Sequence, residues 1–504
     1  MRIYNGADIK EIERLTVVNR KTTWSELMTT AAIKFVKTIF NQRKLKKASK
    51  IVVICGPGNN GGDGLEIAKV INQTTSKKVH VWIPDFFSKR STLNNEHLKC
   101  VTHINNINVY SIDRELLTPY CCKDAIIIDA LFGIGLDRPL YGIPMTFVDK
   151  INKLENYVIS VDLPSGLFSN RLNHPSDKII NPKRVVSFQY PKPSFFFEEN
   201  LELLKICSFA NIGLSDSSYK KSSFGEYLTP DHSHLQLVER KLLNYKTENG
   251  KAVIVGGAKG MTGAPLLAAL AVQTVGAGYS TIQSCSEVLG SVHGHPDLMK
   301  SETNLGDHIN ELLLLNNSTI GIGPGLGTHK DTGQALGSFL EQSTKPLILD
   351  ADALNLISIY NLKHLIPSSS ILTPHIGEFK KLMGKKWVDG AEKLTLLQSF
   401  SIDNKCITVL KGPYSCICDE HGKLYFNSTG NPSLAVAGSG DILTGMITGF
   451  LAQGYSPIES AIKGVFFHGK AADMYVKEHH MSSMTPISLL TYVEKALFKI
   501  KNRQ

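Results

Sequence analysis

The sequence predicts an α/β protein made of two doubly wound domains, each a parallel sheet with helices on both faces. Short apolar runs alternate along the chain with segments of helical periodicity, which is the pattern of βαβ units. Most of these runs are continuously apolar, as expected of strands that are buried on both faces. With 504 residues, 42% of them hydrophobic, the chain is long enough for more than one core.

The first predicted domain covers residues 1–215. Two helical patterns open it, and apolar runs bounded by turn residues then alternate with further helical segments. We expect helices over residues 9–18, 25–40 and 65–71, strands over 50–55, 79–83, 125–128 and 157–161, and closing strands near Val185 and Cys207. This order predicts a Rossmann-like three-layer sandwich.

The second predicted domain covers residues 228–504, after a linker at 216–227 where the apolar rhythm weakens and small polar residues accumulate. Strands and helices alternate again after this linker. We expect strands over residues 251–255, 280–283, 319–322, 346–349, 370–372 and 407–410, a helix over 264–275, and a long helical region from residue 441 to the end.

Composition and charge exclude several classes of protein. Lys and Arg number 55 against 45 Asp and Glu, a net charge of +10 that is mild for this length, so no nucleic-acid partner is expected. No run of about 18 apolar residues suggests a membrane span, and the first residues lack a signal peptide's apolar segment. Nine cysteines without a CxxC pair favour a reducing compartment, so we expect a cytoplasmic protein.

Three strand ends of the first domain carry glycine and acidic residues. The loop Gly56-Pro-Gly-Asn-Asn-Gly-Gly-Asp-Gly64 leads from a strand into a helix, where bare backbone amides can approach an anion. The segments beginning at Asp129 and Asp162 follow two further strands. Since the carboxyl ends of parallel strands share one edge, the three segments should meet in one crevice.

The residues alone leave alternatives open at this crevice. The spacing Gly56-x-Gly58-x-x-Gly61 also fits a dinucleotide-binding turn, and a single aspartate at a strand end is commonly a cap or turn residue. Oxygen-bearing side chains at Asn60, Asp129 and Ser165 suit a hard cation better than zinc.

The three motifs resemble those of the NAD(P)H-hydrate epimerase domain, over about residues 1–215. The resemblance implies interconversion of the R and S epimers of hydrated nicotinamide cofactors, with Asp162 facing the reacting ring as the catalytic acid–base residue. Potassium would be ligated by Asn60, Asp129 and Ser165. The substrate would be lined by Asn59, Asn60, Gly61, Gly62, Asp63, Gly133, Ile134, Gly135, Leu136, Asp137, Arg138, Pro139 and Asp162.

The second domain lacks a Walker loop, but Gly438-Ser-Gly-Asp441 opens a helix. Its glycines expose amide donors for a phosphate, and Asp441 could take a proton from an attacking hydroxyl. The same residues would also make an ordinary helix cap. Further glycine-rich or polar segments follow other strands, at residues 256–264, 321–327, 349–355 and 373–378.

Together these segments resemble the ribokinase-like NAD(P)H-hydrate dehydratase domain, from about residue 228 onward. The resemblance implies that a nucleotide phosphorylates the hydroxyl of the S-hydrate and that phosphate then leaves, with Asp441 as the base. ADP is the expected co-substrate, giving AMP and phosphate, and magnesium would bridge phosphate oxygens. The hydrate would contact Ala264, Gly325, His375 and Asp441, and the nucleotide Lys411, Gly412, Pro413, Tyr414, Ser415 and Gly440.

The chain departs from both family patterns in places. The Met-Glu-x-Ala-Gly motif is Met28-Thr-Thr-Ala-Ala32, and Leu65 replaces an aromatic residue. In the second half Tyr245-Lys-Thr247 replaces His-Lys-Gly, Ile376 a proline and Ala437 a glycine.

We therefore expect a fused repair enzyme for hydrated NADH and NADPH that forms a homo-oligomer. Two rival interpretations stay open on the sequence. One is a dinucleotide-dependent oxidoreductase fused to a sugar or vitamin-precursor kinase. The other is a protein-binding role for the first half.

Overall fold

The computed structural model describes residues 1–40, 48, 50–87, 89–112, 125–239, 243, 245–315, 317–480 and 483–501. These residues form two compact units, one of residues 2–224 and one of residues 225–504 with Met1. We call them the N-terminal and C-terminal units.

A wholly parallel sheet forms the centre of the N-terminal unit. Its strand order, β4-β3-β2-β5-β6-β7-β8, places β2 and β5 at the middle, where their residues are almost entirely buried. Along the chain, β1 precedes these strands. The strands are β1 (Arg2–Ile3), β2 (Lys50–Cys55), β3 (Lys78–Pro84), β4 (Ile107–Ile112), β5 (Ala125–Ala130), β6 (Tyr157–Val161), β7 (Arg184–Phe188) and β8 (Cys207–Ala210).

Helices cover both faces of this sheet. The first helix is capped by the Asn5 side chain, which accepts a 2.9 Å hydrogen bond from the amide of Asp8. The helices are α1 (Gly6–Arg20), α2 (Trp24–Phe40), α3 (Asn59–Thr74), α4 (Thr92–Thr102), α5 (Ile143–Asn152) and α6 (Leu201–Ile206).

The C-terminal unit has a larger mixed sheet, in the order β9-β18-β17-β16-β15-β14-β13-β10-β11-β12. Strands from β12 to β16 in this order run parallel, and β16, β17 and β18 form an antiparallel meander. The strands are β9 (Gly225–Tyr227), β10 (Lys251–Val255), β11 (Tyr279–Ser284), β12 (Met299–Glu302), β13 (Thr319–Ile322), β14 (Ile348–Leu349), β15 (Ile371–Leu372), β16 (Ile407–Leu410), β17 (Cys416–Cys418) and β18 (Leu424–Phe426).

The helices of this unit are α7 (Gly263–Thr274), α8 (Ser286–Ser291), α9 (Lys330–Gln342), α10 (Ala351–Ile359), α11 (Ile376–Met383), α12 (Gly390–Asp403), α13 (Ser439–Ala452), α14 (Pro457–His479) and α15 (Pro486–Lys501). Helices α7 and α13 pack closely against each other where Ala268 meets Gly445. A Cβ atom on Gly445 would lie 2.0 Å from the carbonyl oxygen of Ala268. Among the residues described, no helix is long and apolar enough to cross a membrane.

The structure confirms the predicted fold class of two doubly wound α/β units. It also adds strands that the sequence did not predict, among them β4, whose residues are mostly half-buried or exposed, β12 and β18. In the predicted helical region from residue 441 to the end, the described residues form three helices, and residues 481–482 and 502–504 lie outside the described part of the chain.

The predicted linker at 216–227 contains ordered contacts. Asp216 accepts a 2.8 Å hydrogen bond from the hydroxyl of Tyr4, and the Tyr219 hydroxyl donates to Asp8 of α1. The last three residues form β9. These hydrogen bonds of polar side chains hold the segment in place, and the pattern of apolar residues could not predict them. The domain boundaries themselves stay a prediction.

The contact at Gly445 predicts that Gly445→Ala destabilises the C-terminal unit. The added methyl group overlaps a backbone oxygen, so we expect a loss of about 1–3 kcal/mol in the free energy of unfolding despite alanine's better helix propensity. Urea denaturation measures it. Gly290→Ala in α8 is the matched control, since a Cβ there meets no atom within 4 Å. Equal stability of both variants would contradict the packing argument.

Candidate active sites

The glycine loop of the N-terminal unit connects β2 to α3 at the carboxyl edge of the sheet. A Cβ on Gly56 would lie 1.7 Å from the carbonyl oxygen of Leu131, so only glycine allows the two strand ends to approach. Gly58 precedes the helix, and a Cβ there would meet nothing within 4 Å. Backbone at the start of α3 is therefore open to a ligand.

The three residues predicted to bind potassium lie together at this edge. Asn60 donates to the carbonyl oxygen of Phe132 at 3.0 Å, and the Ser165 hydroxyl lies 3.2 Å from the same oxygen. The buried carboxylate of Asp129 accepts 2.5 Å and 3.0 Å hydrogen bonds from the hydroxyl and amide of Ser165, and 2.8 Å from the hydroxyl of Ser160. Burial raises the pKa of Asp129, and the donated hydrogen bonds oppose this.

Asp162 stands at the end of β6 with a backbone φ of 63°, a conformation that few residues other than glycine adopt. Its amide donates to Val186 at 2.8 Å, which holds the strained backbone in place. One carboxylate oxygen accepts from the amide of Phe188 at 2.9 Å and from the ammonium of Lys192. Both charged side chains are nearly buried, so this ion pair is a fixed part of the crevice.

The charge of Asp162 acts on two further acidic residues. Burial, and then the charge of Asp162, raise the pKa of Glu13 in α1 to about 7. Burial raises the pKa of Asp63 well above its usual value, and the charges of Glu13 and Asp162 add to this. The crevice thus contains three mutually interacting carboxyl groups beside one buried lysine.

Helix α1 presents Glu13 from the same face as Gly6 and Lys10, which are spaced seven and three residues before it. A Cβ on Gly6 would lie 2.7 Å from the carbonyl oxygen of Ile134, and one on Gly135 would lie 3.5 Å from the ammonium of Lys10. This face of α1 therefore borders the loop at 133–139, which was predicted to line the substrate.

The sequence reading missed Glu13 and Lys192. Glu13 lies in a polar helical pattern that looks like any solvated helix. Lys192 lies between two prolines shortly after β7. Because prolines restrict the backbone, this position was the one sequence signal that the lysine could have a fixed role.

Four of the other residues predicted for this site are exposed, whereas Gly61 and Gly62 are buried. Asn59, Gly135, Asp137 and Arg138 are exposed, and Asn59 accepts a 3.0 Å hydrogen bond from the hydroxyl of Ser91. The carbonyl of Asp137 accepts a 2.6 Å hydrogen bond from Arg171. The loop can thus offer polar groups to a ligand above the buried acids.

In the C-terminal unit, α13 begins at Ser439, directly after Gly438, whose φ of 91° requires glycine. A Cβ on Gly440 would be 3.7 Å from the ammonium of Lys411. The free amides of this helix start and a lysine therefore converge, an arrangement suited to phosphate.

Lys411 belongs to a buried network centred on Asp350. It donates to one oxygen of Asp350 at 2.8 Å, and Thr444 donates to the other at 2.6 Å. Burial alone would lower the pKa of Lys411, but the carboxylates of Asp350 and Glu378 raise it above its usual value. The lysine is therefore a permanent positive charge in the site.

Asp441 follows one residue after Gly440 and is half-buried. Burial, and then the negative charge of Asp350, raise its pKa to about 6, although Lys411 opposes this. A carboxyl group with this pKa can accept a proton near neutral pH, which is what a general base requires.

The predicted hydrate contacts Ala264 and Gly325 lie together, since a Cβ on Gly325 would be 3.1 Å from that of Ala264. His375 caps α11: its Nδ1 accepts from the amide of Gly377 at 2.9 Å, and its Nε2 is 3.5 Å from Glu378. More than half of its ring surface stays exposed. The Ala264–Gly325 contact and the capped ring of His375 thus have defined positions.

The predicted nucleotide segment 411–415 runs from the end of β16 into an exposed turn. The hydroxyl of Ser415 closes this turn by donating to the carbonyl of Gly412 at 3.0 Å. A Cβ on Gly412 would meet nothing within 4 Å, so a ligand can approach this backbone. The turn lies next to His375 through the Lys411 amide, which donates to Pro374 at 2.9 Å.

Behind the helix start, the buried ring of His468 donates to the carbonyl of Ser439 at 2.9 Å. Burial lowers the pKa of His468 to about 4, so the ring is neutral and supports the backbone without competing for anions. The sequence contains no signal for His468, and it pointed to Asp350 and Thr444 only as members of motifs, without a role.

Comparisons with known proteins match both halves of the chain. A family model described as YjeF-related protein N-terminus matches residues 25–194, and one described as NAD(P)H-hydrate dehydratase matches residues 252–495. A ribokinase-like superfamily protein from Enterococcus faecalis is 27% identical with a TM-score of 0.50, covering 56% of this chain and 98% of its own. This likeness confirms the ribokinase-like fold of the C-terminal unit.

Two full-length relatives are both described as the bifunctional NAD(P)H-hydrate repair enzyme Nnr. The one from Thermofilum pendens is 31% identical over 467 residues, covering 88% of this chain and 87% of its own length. The one from Coxiella burnetii is 30% identical over 485 residues, with 94% and 95% covered.

The pKa of Asp441 predicts how stability depends on pH. Because the folded-state value of about 6 exceeds the unfolded value of about 3.9, the unfolded chain binds fewer protons between these limits and stability falls as pH rises. Asp441→Asn removes this penalty, so it should stabilise the protein by about 1–2 kcal/mol above pH 6. Below about pH 4 the gain should vanish. Thermal melting across this range measures it, and a pH-independent difference would contradict it.

Proposed function

The chain belongs to the bifunctional NAD(P)H-hydrate repair enzymes, and from this premise we propose which residues and which phosphoryl donor its two units use. The enzyme combines an NAD(P)H-hydrate epimerase domain with an NAD(P)H-hydrate dehydratase domain. The observation that supports our assignment is that each unit places a carboxyl group of raised pKa beside a buried lysine–aspartate pair.

In the epimerase site, we assign proton transfer to Glu13 and Asp162. The ring carbon that carries the hydroxyl is also bonded to nitrogen, so protonation of the hydroxyl lets water leave and an iminium form. Glu13, with a pKa of about 7, supplies this proton. Water then adds to the opposite face as a carboxylate accepts a proton, and we assign that step to Asp162, which is held by Lys192.

Potassium fits the residues predicted for it, because Asp129, Ser165 and the Phe132 carbonyl bring oxygen atoms to one place and the side-chain amide of Asn60 lies against them. When bound, the ion would supply a fixed positive charge close to the glycine loop. Asn60 and Ser165 would face the ion. Their contacts with the Phe132 carbonyl would also hold the glycine loop next to the end of β5.

In the dehydratase site, Asp441 would take the proton of the ring hydroxyl as that oxygen attacks phosphorus. The amides at the start of α13 and the ammonium of Lys411 would bind the phosphate group on which negative charge develops during the transfer. The phosphate ester then leaves the ring carbon and a ring proton is lost, which restores the dihydronicotinamide.

We propose ADP as the phosphoryl donor, so that AMP and phosphate are released, with the nucleotide at residues 411–415 and Gly440. The exposed turn and the open backbone at Gly412 support this position. Magnesium would be held mainly by phosphate oxygens, since both oxygens of Asp350 already accept hydrogen bonds from Lys411 and Thr444.

Asp441→Asn tests the dehydratase assignment. We expect conversion of S-hydrate to the reduced cofactor to fall by about 100-fold or more, because the base is lost. ADP binding and epimerisation of R-hydrate should persist. In the wild-type protein the rate should rise as pH increases through about 6, the pKa of Asp441. Recovery of reduced-cofactor absorbance measures both, and normal turnover in the variant would refute the assignment.

Glu13→Gln tests the epimerase assignment. Wild-type epimerisation should decline as pH rises through about 7, where Glu13 loses its proton. The variant should be slower by about 100-fold and should lack this decline. Chromatographic separation of the two epimers follows the reaction. Asp441→Asn is the control with an intact N-terminal unit. An unchanged pH profile in Glu13→Gln would exclude Glu13 as the acid.

A further inference from the structure

Two histidines and an aspartate form a cluster in the C-terminal unit, apart from the residues assigned above. Oδ2 of Asp331 lies 3.7 Å from Nε2 of His308 and 4.0 Å from Nδ1 of His329. One ligand atom from each of the three residues falls within 4.8 Å of the others. The two imidazole rings stack with centroids 3.9 Å apart.

A second carboxylate, that of Asp307, orients the ring of His308. Its Nδ1 donates to Oδ1 of Asp307 at 2.8 Å, which leaves Nε2 as the nitrogen directed at Asp331. This Nε2 is buried and has no hydrogen-bond partner among the residues described. A bare nitrogen lone pair facing a carboxylate is repulsive, and either a proton on that nitrogen or a bound cation removes the repulsion. A histidine held by a carboxylate on its far nitrogen is also the usual arrangement of a metal ligand.

The backbone holds this cluster in place. Asn304 donates to the carbonyl of His308 at 3.0 Å and accepts from the amide of Asn310. The Thr332 hydroxyl of α9 donates to the carbonyl of Ile309 at 2.5 Å. The loop that carries His308 is thus fixed to the helix that carries Asp331, and His329 directly precedes that helix.

We propose that His308, His329 and Asp331 bind one divalent transition-metal ion, with Zn²⁺ the best suited. Two neutral imidazoles and one carboxylate match the donor types of zinc sites that keep a position for water. Metal–ligand bonds of about 2.0–2.2 Å require the three atoms to move closer by small rotations. The exposed side chains of His329 and Asp331 allow such rotations.

The ion would fix one border of the dehydratase crevice. The carbonyl of Asp307, next to His308, accepts a 2.7 Å hydrogen bond from the amide of Lys259 in the loop after β10. Gly327, two residues before His329, approaches Ala258 and Met261 of the same loop. A metal at the cluster therefore ties together segments that lead to Ala264 and Gly325.

Titration of the full-length, metal-free protein with Co²⁺ and Zn²⁺ tests the site. We expect one Co²⁺ per chain to give visible ligand-field bands without thiolate charge transfer, which distinguishes the cluster from the cysteines. Zn²⁺ should displace Co²⁺ and raise the melting temperature.

His329→Ala, which removes an exposed ligand and no helix cap, should weaken Zn²⁺ binding by more than about 10-fold and abolish the bands. Asp307→Asn should weaken binding by about 10-fold by releasing the His308 ring. His421→Ala, at an 84% exposed histidine elsewhere, is the matched control and should bind as the wild type does. Wild-type protein that binds no equivalent, or His329→Ala protein that binds equally well, would overturn the proposal.

Discussion

A lysine–aspartate ion pair lies near the carboxyl ends of parallel strands in each unit, and the chemistry that we propose for both sites depends on it. Lys192 holds Asp162, and Lys411 holds Asp350. Each pair stands beside further acidic groups, Glu13 and Asp63 in one unit and Asp441 in the other. Burial raises the pKa of these neighbours, and each aspartate adds to this effect. One charged pair thus leaves an adjacent carboxyl group free to exchange protons near neutral pH, as general acid–base chemistry requires.

Glycine loops and strand ends could be predicted because their signals are local. The loop from Gly56 to Gly64 and the helix start at Gly438 have patterns that follow directly from close backbone approach. Glu13, Lys192 and His468 could not be predicted in the same way. Each comes from an element remote in sequence, and its importance depends on what folding places opposite it. Periodicity reports only that a residue is polar or apolar, and it contains no information about such partners.

The structure also gives a physical reason why most departures from the family patterns are tolerated. Leu65 is fully buried, so an aliphatic side chain fills that position. Ala437 stands before Gly438, and only the latter has a positive φ. Ile376 begins α11 without disturbing the cap from His375. Thr29 donates a 3.2 Å hydrogen bond to the buried Glu66, which connects α2 to α3.

The left-handed backbone at Asp162 affects how variation at this position can be interpreted. Aspartate, asparagine and glycine tolerate such a conformation, whereas branched or bulky residues do so at a cost of about 1–3 kcal/mol. Strong preference for aspartate among related sequences would therefore have two independent causes, backbone geometry and chemistry. Counting substitutions cannot separate them. An amide of the same shape keeps the backbone geometry while removing the negative charge, so asparagine is the replacement that best separates the two causes.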